Sequence, residues 1–523
     1  MSIYTIFKKS VERFPDKIVL VEGVGPTRKT ITYQELDNDA SKIAAFLLEQ
    51  SVCPGDRVLL FIPLSIQLYT YIVALGKIGA TIMFIEPSMR GNNLQNSVHS
   101  FPPDVLIGTA KSHFLQVIAP DLSKISKKFT VDYWFPGAQK IHLSEHKNDV
   151  LIPDFPLDIL ALITFTSGTS GVPKAIGRTH EFLIDQQGIV SKHQHHKEKE
   201  RELCFFPVFL LSNLGDGITS IIPFGDLRYP ALIDEDSIIQ QIQENQVTSI
   251  LGPPAFINKI LTKTEHKEHL KNVKNVSSGG GPISPDFMKK IQEFFPQADI
   301  HPIYGSTEAE PISVVNYKDI SDEDKLKTAQ GLGIPCGEVI HEVSLAIIED
   351  HSGEAIGPFD EKSFSQIKLK PYEVGEIVVT GKAVNKSYLN PEKNLENKFQ
   401  ADGEIWHRTG DAGYLDQSNN LWLMGRCAAK INHHNRWVYP FSIEYAAMAD
   451  PSIKTAAFIE VKGRQILVLE ASQNQVISDE KKISLRNLFK IDTVIIVPKI
   501  PVDDRQNSKI DYPRLKEQLE KIS

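Results

Sequence analysis

The stretch "TFTSGTSGVPKAIG", Thr164 to Gly177, decides how the rest of the chain is read. The apolar run "ILALI" (Ile159 to Ile163) leads into it. A short apolar run that ends at a turn signal reads as a buried strand. It gives way to Thr166, Ser167, Gly168, Thr169, Ser170 and Gly171, with Lys174 closing the loop. Glycines and hydroxyls let successive backbone N–H groups face one concavity, an anion nest, and the lysine adds positive charge. The loop is not of the G-x-x-x-x-G-K-[ST] kind, because Lys174 follows Pro173 and precedes Ala175. A plain surface turn is the competing reading.

Working outward, helical and strand patterns alternate. "YQELDNDASKIAAFLLEQ" (Tyr33 to Gln50) puts Leu36, Ala40, Ile43, Ala44, Phe46 and Leu47 on one helical face. "RVLLFI" follows as a strand, "SIQLYTYIVALGKIGA" as a helix closing on Gly79, and "TIMFIEP" as another strand. "SIIQQIQENQVTSILG" and "PDFMKKIQEFFPQADIHPIYG" repeat the helix-then-strand rhythm. This predicts an α/β fold, with parallel sheets covered by helices. After about Ile340, "EVSLAIIED", "GEIVVTG" and "NLWLMGR" read as strands separated by turns, a smaller antiparallel or barrel-like section. The last hundred or so residues mix strands and helices as a compact, mobile α+β domain. The boundary is placed at Gly425 and Arg426, giving domains 1–425 and 426–523. "KHQHHKEKERE" (Lys192 to Glu202) reads as an exposed helix end or loop rather than a metal site.

Composition narrows the function classes. Of 523 residues, 41% are hydrophobic, which predicts a large core and excludes a disordered chain. The 57 basic and 65 acidic side chains leave a net charge of -8, so there is no basic excess for nucleic acid. Cys53, Cys204, Cys336 and Cys427 are scattered without metal-ligand spacing and read as free thiols. The N-terminus lacks a signal-peptide pattern, and the apolar run from Tyr71 to Ile85 is too short and interrupted to span a membrane. A cytoplasmic protein is expected.

Six motifs in order give a resemblance that covers nearly the whole chain. "TSGTSGVPK" is similar to the phosphate-binding signature of the adenylate-forming superfamily, which includes acyl-CoA synthetases, luciferases and the adenylation domains of peptide synthetases. "GGGPIS" (Gly279 to Ser284) resembles the segment that lies against adenine, and "YGSTEAE" (Tyr304 to Glu310) resembles the "YGxTE" motif. "RTGDAGYLD" (Arg408 to Asp416) resembles the ribose-holding motif, "LWLMGR" ends in the arginine before the interdomain hinge, and "NSKIDYPRL" (Asn507 to Leu515) resembles the C-terminal motif with the catalytic lysine.

The resemblance implies ATP and Mg²⁺ as the nucleotide partners. It places Thr166, Ser167, Gly168, Thr169, Ser170, Gly171 and Lys174 on the phosphates, and Gly279, Gly280, Gly281, Pro282, Tyr304 and Gly305 around adenine. Tyr304 offers an aromatic face to a purine. Thr307 can donate to a phosphate oxygen. Glu308 is a hard carboxylate suited to Mg²⁺. Asp411, read as lying in the turn "TGDAG", can accept both ribose hydroxyls, with Arg426 on ribose or phosphate. Lys509 is the implied catalytic lysine, acting with Thr166, Lys174 and Glu308. A carboxylate attacks the α-phosphorus of ATP, pyrophosphate leaves, and a C-terminal rotation then brings in a second nucleophile.

The acid is read from "LCFFPVFLLSNLGDGITSIIP" (Leu203 to Pro223). Many acyl-CoA synthetases carry a histidine where this chain has Leu210, just after Phe209. "FFPVFLL" with "GDGITSIIP" instead resembles the olefin β-lactone synthetases, which activate long-chain β-hydroxy acids and close a β-lactone with the acid's own hydroxyl. That assigns Phe209, Leu210 and Asn213 to a lipid-like carboxylic acid. A core strand is the competing reading of Phe205 and Phe206. Ala428, Asn432, Asn435, Ser508 and Tyr512 depart from the pattern of CoA-using relatives and weaken the case for CoA. A fatty acyl-CoA ligase and a non-catalytic nucleotide-binding relative acting in a complex stay open. So does delivery of the acid by partner enzymes of a lipid pathway.

Overall fold

The computed structural model describes residues 3–85, 92–142, 153–166, 173–194, 200–263, 267–268, 270–351, 353–433, 436–502 and 510–522. The fold is α/β; among the described residues it has two large sheets, a three-stranded sheet and a two-stranded ribbon, Ile431–His433 with Arg436–Val438. In the seven-stranded sheet the order is Gln139–Lys140, Lys127–Thr130, Val105–Gly108, Arg57–Phe61, Thr81–Phe84, Leu160–Thr166, Lys174–Thr179. Its neighbours pair in parallel until the last two, which are antiparallel. The chain therefore turns back on itself around the glycine-rich loop.

The flanking helices follow from their sequences. The helix Tyr33–Glu49 starts in a capping box: Thr32 Oγ1 accepts from the Glu35 N–H at 3.2 Å, and Glu35 Oε2 from the Thr32 N–H at 2.8 Å. Leu36, Ala40, Ile43, Ala44, Phe46 and Leu47 are all buried, as the periodicity predicts. The helix Ile66–Ile78 ends at Gly79 with φ 73°, and a Cβ there would fall 2.5 Å from the Phe155 ring. Glycine is required on both grounds. Lys77, which interrupts the apolar run, is buried against Asp37 at 3.1 Å. None of the described helices is long and apolar enough to cross a membrane. The four cysteines are free, and only Cys53 is exposed.

The second sheet has fourteen strands. Ile18–Glu22, Thr219–Ile221, Arg201–Cys204, Ser249–Gly252, Asn275–Ser278 and Asp299–Ser306 form its parallel part. Asp299–Ser306 then pairs antiparallel with Ala309–Val314, and the sheet continues through Ile334–Val339, Asn420–Arg426, Glu404–Leu415, Gly375–Gly381 and Val343–Ile348. The antiparallel section thus begins near Ala309, earlier than the change of texture near Ile340, and is hydrogen-bonded into the same sheet. Two local readings are corrected. Arg201 and Glu202 belong to a strand rather than an exposed helix end, and Glu202 is buried. Asp411 lies within the strand Glu404–Leu415, not in a turn; Gly410, with φ 70°, and a register shift after Ala412 absorb the irregularity.

The third sheet, Ile453–Val461, Arg464–Ala471 and Thr493–Val497, packs with the helices Pro440–Met448, Asp479–Phe489 and Tyr512–Ile522. Tyr512, one of the departures from the CoA-using pattern, donates its hydroxyl to Glu444 Oε1 at 2.7 Å. Glu444 also accepts the Phe458 N–H at 2.8 Å, and burial pushes its carboxyl up to about 7. A raised acid favours folding below the unfolded value of 4.5, and that contribution is lost as pH rises through about 7. Across that window the loss is on the order of 3 kcal/mol. Glu444→Gln should therefore gain melting temperature relative to the parent as pH goes from about 5 to 7.5. Parallel melting curves across that range would exclude this role.

Candidate active site

The site assembles where strands of the two large sheets end. Thr166 and Lys174 are register partners at the mouth of the glycine-rich loop. Ser167, Gly168, Thr169, Ser170 and Gly171 lie outside the described residues, as does Lys509. Lys174 Nζ donates to Asn397 Oδ1 at 2.8 Å and sits 5.5 Å from the centre of the Tyr388 ring. Lys398 Nζ lies 5.3 Å from the same ring and donates to the Asn385 carbonyl. Burial depresses both ammonium groups, Lys398 to about 7, with Glu308 partly opposing. Tyr388 donates its hydroxyl to Glu308 Oε1 at 2.8 Å. Burial opposes charge on Glu308, yet its polar and cationic surroundings hold the carboxyl below the ordinary value.

Glu308 stands at the turn between Asp299–Ser306 and Ala309–Val314. At Gly305 a Cβ would come within 2.9 Å of the Ala309 carbonyl, so the tight reversal requires glycine. Arg178, wholly enclosed, fastens this turn to the first sheet: it donates to Thr164 Oγ1 at 3.1 Å and to the Thr307 carbonyl at 2.6 Å. The fastening brings "TFTSG" and "YGSTE" together. Near Arg178 lies Glu310, whose carboxyl burial pushes up to about 7, against the pull of Arg178.

Further along, Tyr304 donates its hydroxyl to Asp411 Oδ2 at 2.8 Å, and Arg426 Nη1 is 3.2 Å from Asp411 Oδ1. Asp411 and Arg426 face each other across neighbouring strands, which brings residues fifteen positions apart into contact. Burial outweighs both partners and leaves the Asp411 carboxyl above its ordinary value. Arg426 itself is 69% exposed. "GGGPIS" leaves the strand Asn275–Ser278; Gly280, Gly281 and Pro282 are exposed, and Gly280, with φ 72°, faces the Phe206 ring.

A family model described as "AMP-binding enzyme" matches residues 7–389. The chain belongs to that family. This AMP-binding enzyme is 27% identical over 96% of its length to the olefin beta-lactone synthetase of Stenotrophomonas maltophilia, covering 94% of that protein. It is 24% identical over 94% of its length to 4-coumarate-CoA ligase 1 of Narcissus pseudonarcissus, covering 89% of that protein. Its fold matches ATP-bound MatB from Rhodopseudomonas palustris with TM-score 0.78, 20% identity and full coverage of both chains. It is an AMP-forming, acyl-activating enzyme that acts on a carboxylic acid.

The acid-side residues of this AMP-binding enzyme divide. Phe205 and Phe206 follow the strand Arg201–Cys204 and precede the helix Pro207–Asp216; Phe205 is core, and Phe206 bridges two core clusters. Phe209 lines a narrow, almost wholly apolar hollow with Ile3, Phe7, Ile72, Leu183 and Val190. Leu210 and Asn213 do not line it. Leu210 is fully buried in the core, and Asn213 Nδ2 donates to Glu202 Oε2 at 2.6 Å and Ser220 Oγ at 3.0 Å. Those contacts enclose Asn213 and correct the expectation that the two residues meet substrate. Arg178, Tyr388, Lys398 and Glu310 were missed in the sequence. Lysines and a tyrosine in "NKSYLNPEKNLENKF" carry no spacing signal; their one clue was an excess of cations beside apolar strands.

Proposed function

We propose that this enzyme activates a fatty or β-hydroxy fatty acid with ATP, and that a β-hydroxy acyl-adenylate then closes to a β-lactone. The observation that carries the reading is the convergence of Lys174, Glu308, Tyr304 and Asp411 on one region beside an apolar hollow that contains Phe209. A carboxylate oxygen of the acid attacks the α-phosphorus, the bond to the β-phosphate breaks, and pyrophosphate leaves. The carboxylate is already ionised near neutral pH, so the step needs no general base. Lys174 faces developing phosphate charge, Asp411 accepts from the ribose hydroxyls and Tyr304 packs on the adenine. Glu308 fits Mg²⁺: it is a hard carboxylate held by Tyr388 through only one oxygen. Bound there, the ion would neutralise phosphate charge; Tyr388 orients the carboxylate for it.

In the second step the C3 hydroxyl oxygen attacks the acyl carbon, the bond to the AMP phosphate breaks, and the hydroxyl proton passes to solvent. This acceptor is intramolecular and needs no thiol channel, which accommodates Ala428, Asn432 and Tyr512. The proposed domain division at Gly425 and Arg426 leaves the small sheet and Lys509 on the C-terminal side. The likeness to a 4-coumarate-CoA ligase favours a second reading, transfer of the acyl group to CoA.

Pyrophosphate and AMP release should be followed with ATP, Mg²⁺ and a panel of fatty and 3-hydroxy fatty acids, with and without CoA. The expected result is CoA-independent turnover of 3-hydroxy acids, with simple acids stalling at the adenylate. Strict dependence on CoA would move the reading to an acyl-CoA ligase. No release with any acid would exclude fatty-acid activation.

A further inference from the structure

The hollow beside Phe209 is apolar except at a few points, and those points are unequally engaged. It lies between the helix Ile3–Arg13 and the helices Ile66–Ile78, His180–Gln194 and Pro207–Asp216. Tyr4 spends its hydroxyl on Asp37 at 3.0 Å, and Gln187 its amide on Asp216 at 2.6 Å. Gln186 donates to the Glu310 backbone carbonyl at 3.4 Å. Two groups remain. Ser212 Oγ is buried and has no hydrogen-bond partner among the described residues. The Glu310 side chain, which is half-buried, takes no hydrogen bond among the described residues either. Both line the same hollow.

Buried polar groups without partners are rare and costly, because the water they lost is not replaced. A buried, unpartnered hydroxyl beside a half-buried, unpartnered carboxylate in one apolar hollow indicates that something else satisfies them. Glu310 lies two residues beyond Glu308, where the turn opens into the strand Ala309–Val314, so the polar end of the hollow adjoins the phosphate-facing side chains. Arg178 already stands near Glu310 as a cation, so a ligand cation is not required. What fits is a neutral donor-acceptor carried on an apolar chain close to its carboxylate end.

We infer that Glu310, with Ser212, is the specificity determinant for a hydroxyl near the carboxylate end of the acyl chain, as on C3. The hydroxyl donates to the Glu310 carboxylate and accepts from Ser212 Oγ. An acid without it leaves both groups without that partner. The inference rests on the fatty-acid reading above but is separable from it.

The test compares kcat/KM for pyrophosphate release in the first turnover, before any adenylate is consumed, with 3-hydroxydecanoic acid, 3-aminodecanoic acid and decanoic acid. The wild type should prefer the hydroxy acid over the plain acid by about tenfold or more, since sites built to bond a hydroxyl reject analogues that lack it. In Glu310→Leu the ratio should fall to near one, and Ser212→Ala should lower it part-way. The ratio is independent of how much active protein each preparation contains. A wild-type ratio near one overturns the inference without any variant, as does an unchanged ratio in Glu310→Leu. Preference for the amino acid would also overturn it, in favour of ammonium recognition. Pyrophosphate release from decanoic acid in the first turnover, with no ratio change, leaves the fatty-acid reading standing. Absence of turnover with all three acids fails both.

Discussion

Lys509→Ala is expected to lower pyrophosphate release by about a thousandfold while ATP still binds. The argument is electrostatic. A substrate carboxylate must approach a polyphosphate, and the transition state gathers negative charge at the α-phosphorus. Lys174 is engaged by Asn397 and sits over Tyr388, so it serves one end of the phosphate chain. A second cation is needed at the reacting phosphorus, and the "SKID" resemblance supplies Lys509. On the proposed reading, nucleotide affinity rests on other groups, among them Tyr304 and Asp411. A fluorescent ATP analogue should therefore titrate the variant as it does the parent, while single-turnover release of pyrophosphate is nearly lost. Unchanged turnover would remove Lys509 from the reaction.

Arg178→Met should cost about 3–5 kcal/mol of stability, the range found when one partner of a buried charged network is removed. Methionine keeps much of the volume but leaves the Thr307 carbonyl and Thr164 Oγ1 without their donor. It also leaves Glu308 and Glu310 without the cation between them. Because Thr164 lies in one large sheet and Thr307 in a turn of the other, adenylation should fall along with stability. The denaturation midpoint in urea measures the first effect. Adding Glu310→Leu should restore part of the loss, since the uncompensated carboxylate is then gone. A single variant within about 1 kcal/mol of the parent would show that Arg178 is not a fastening.

These two predictions mark what was and was not legible in the sequence. Local order was legible where a period or cap carries it. Leu36 to Leu47 faced inward as their spacing demanded, and Gly79 ended its helix. The meeting of Glu308 with Lys174, and of Tyr304 with Asp411, was legible only through the order of the motifs. Physical spacing could not show it, because sheet pairing sets those distances. Arg178, Tyr388 and Lys398 were illegible for the same reason: Tyr388 meets Glu308 across 80 residues of chain. "TGDAG" read as a turn because its residues are small, whereas the neighbouring strand Asn420–Arg426 keeps it extended. Asn213 read as a ligand contact because its segment is apolar; its true partner, Glu202, had been assigned to a loop.

The hairpin that carries Asp411 and Arg426 has a consequence for how this chain can change length. Its turn is held by Asp416 Oδ1, which accepts the Ser418 N–H at 2.8 Å and the Asn420 N–H at 2.9 Å. From there the ladder runs through Leu415 with Leu421 and Tyr414 with Trp422 to Asp411 with Arg426. Side chains alternate faces along each strand, so a register slip of one residue would turn Arg426 away from Asp411. The hairpin is thus a ruler. Insertions and deletions that other surface loops absorb at little expense would be selected against between Leu415 and Leu421, and an alignment gap there should be rarer than chain exposure alone would suggest.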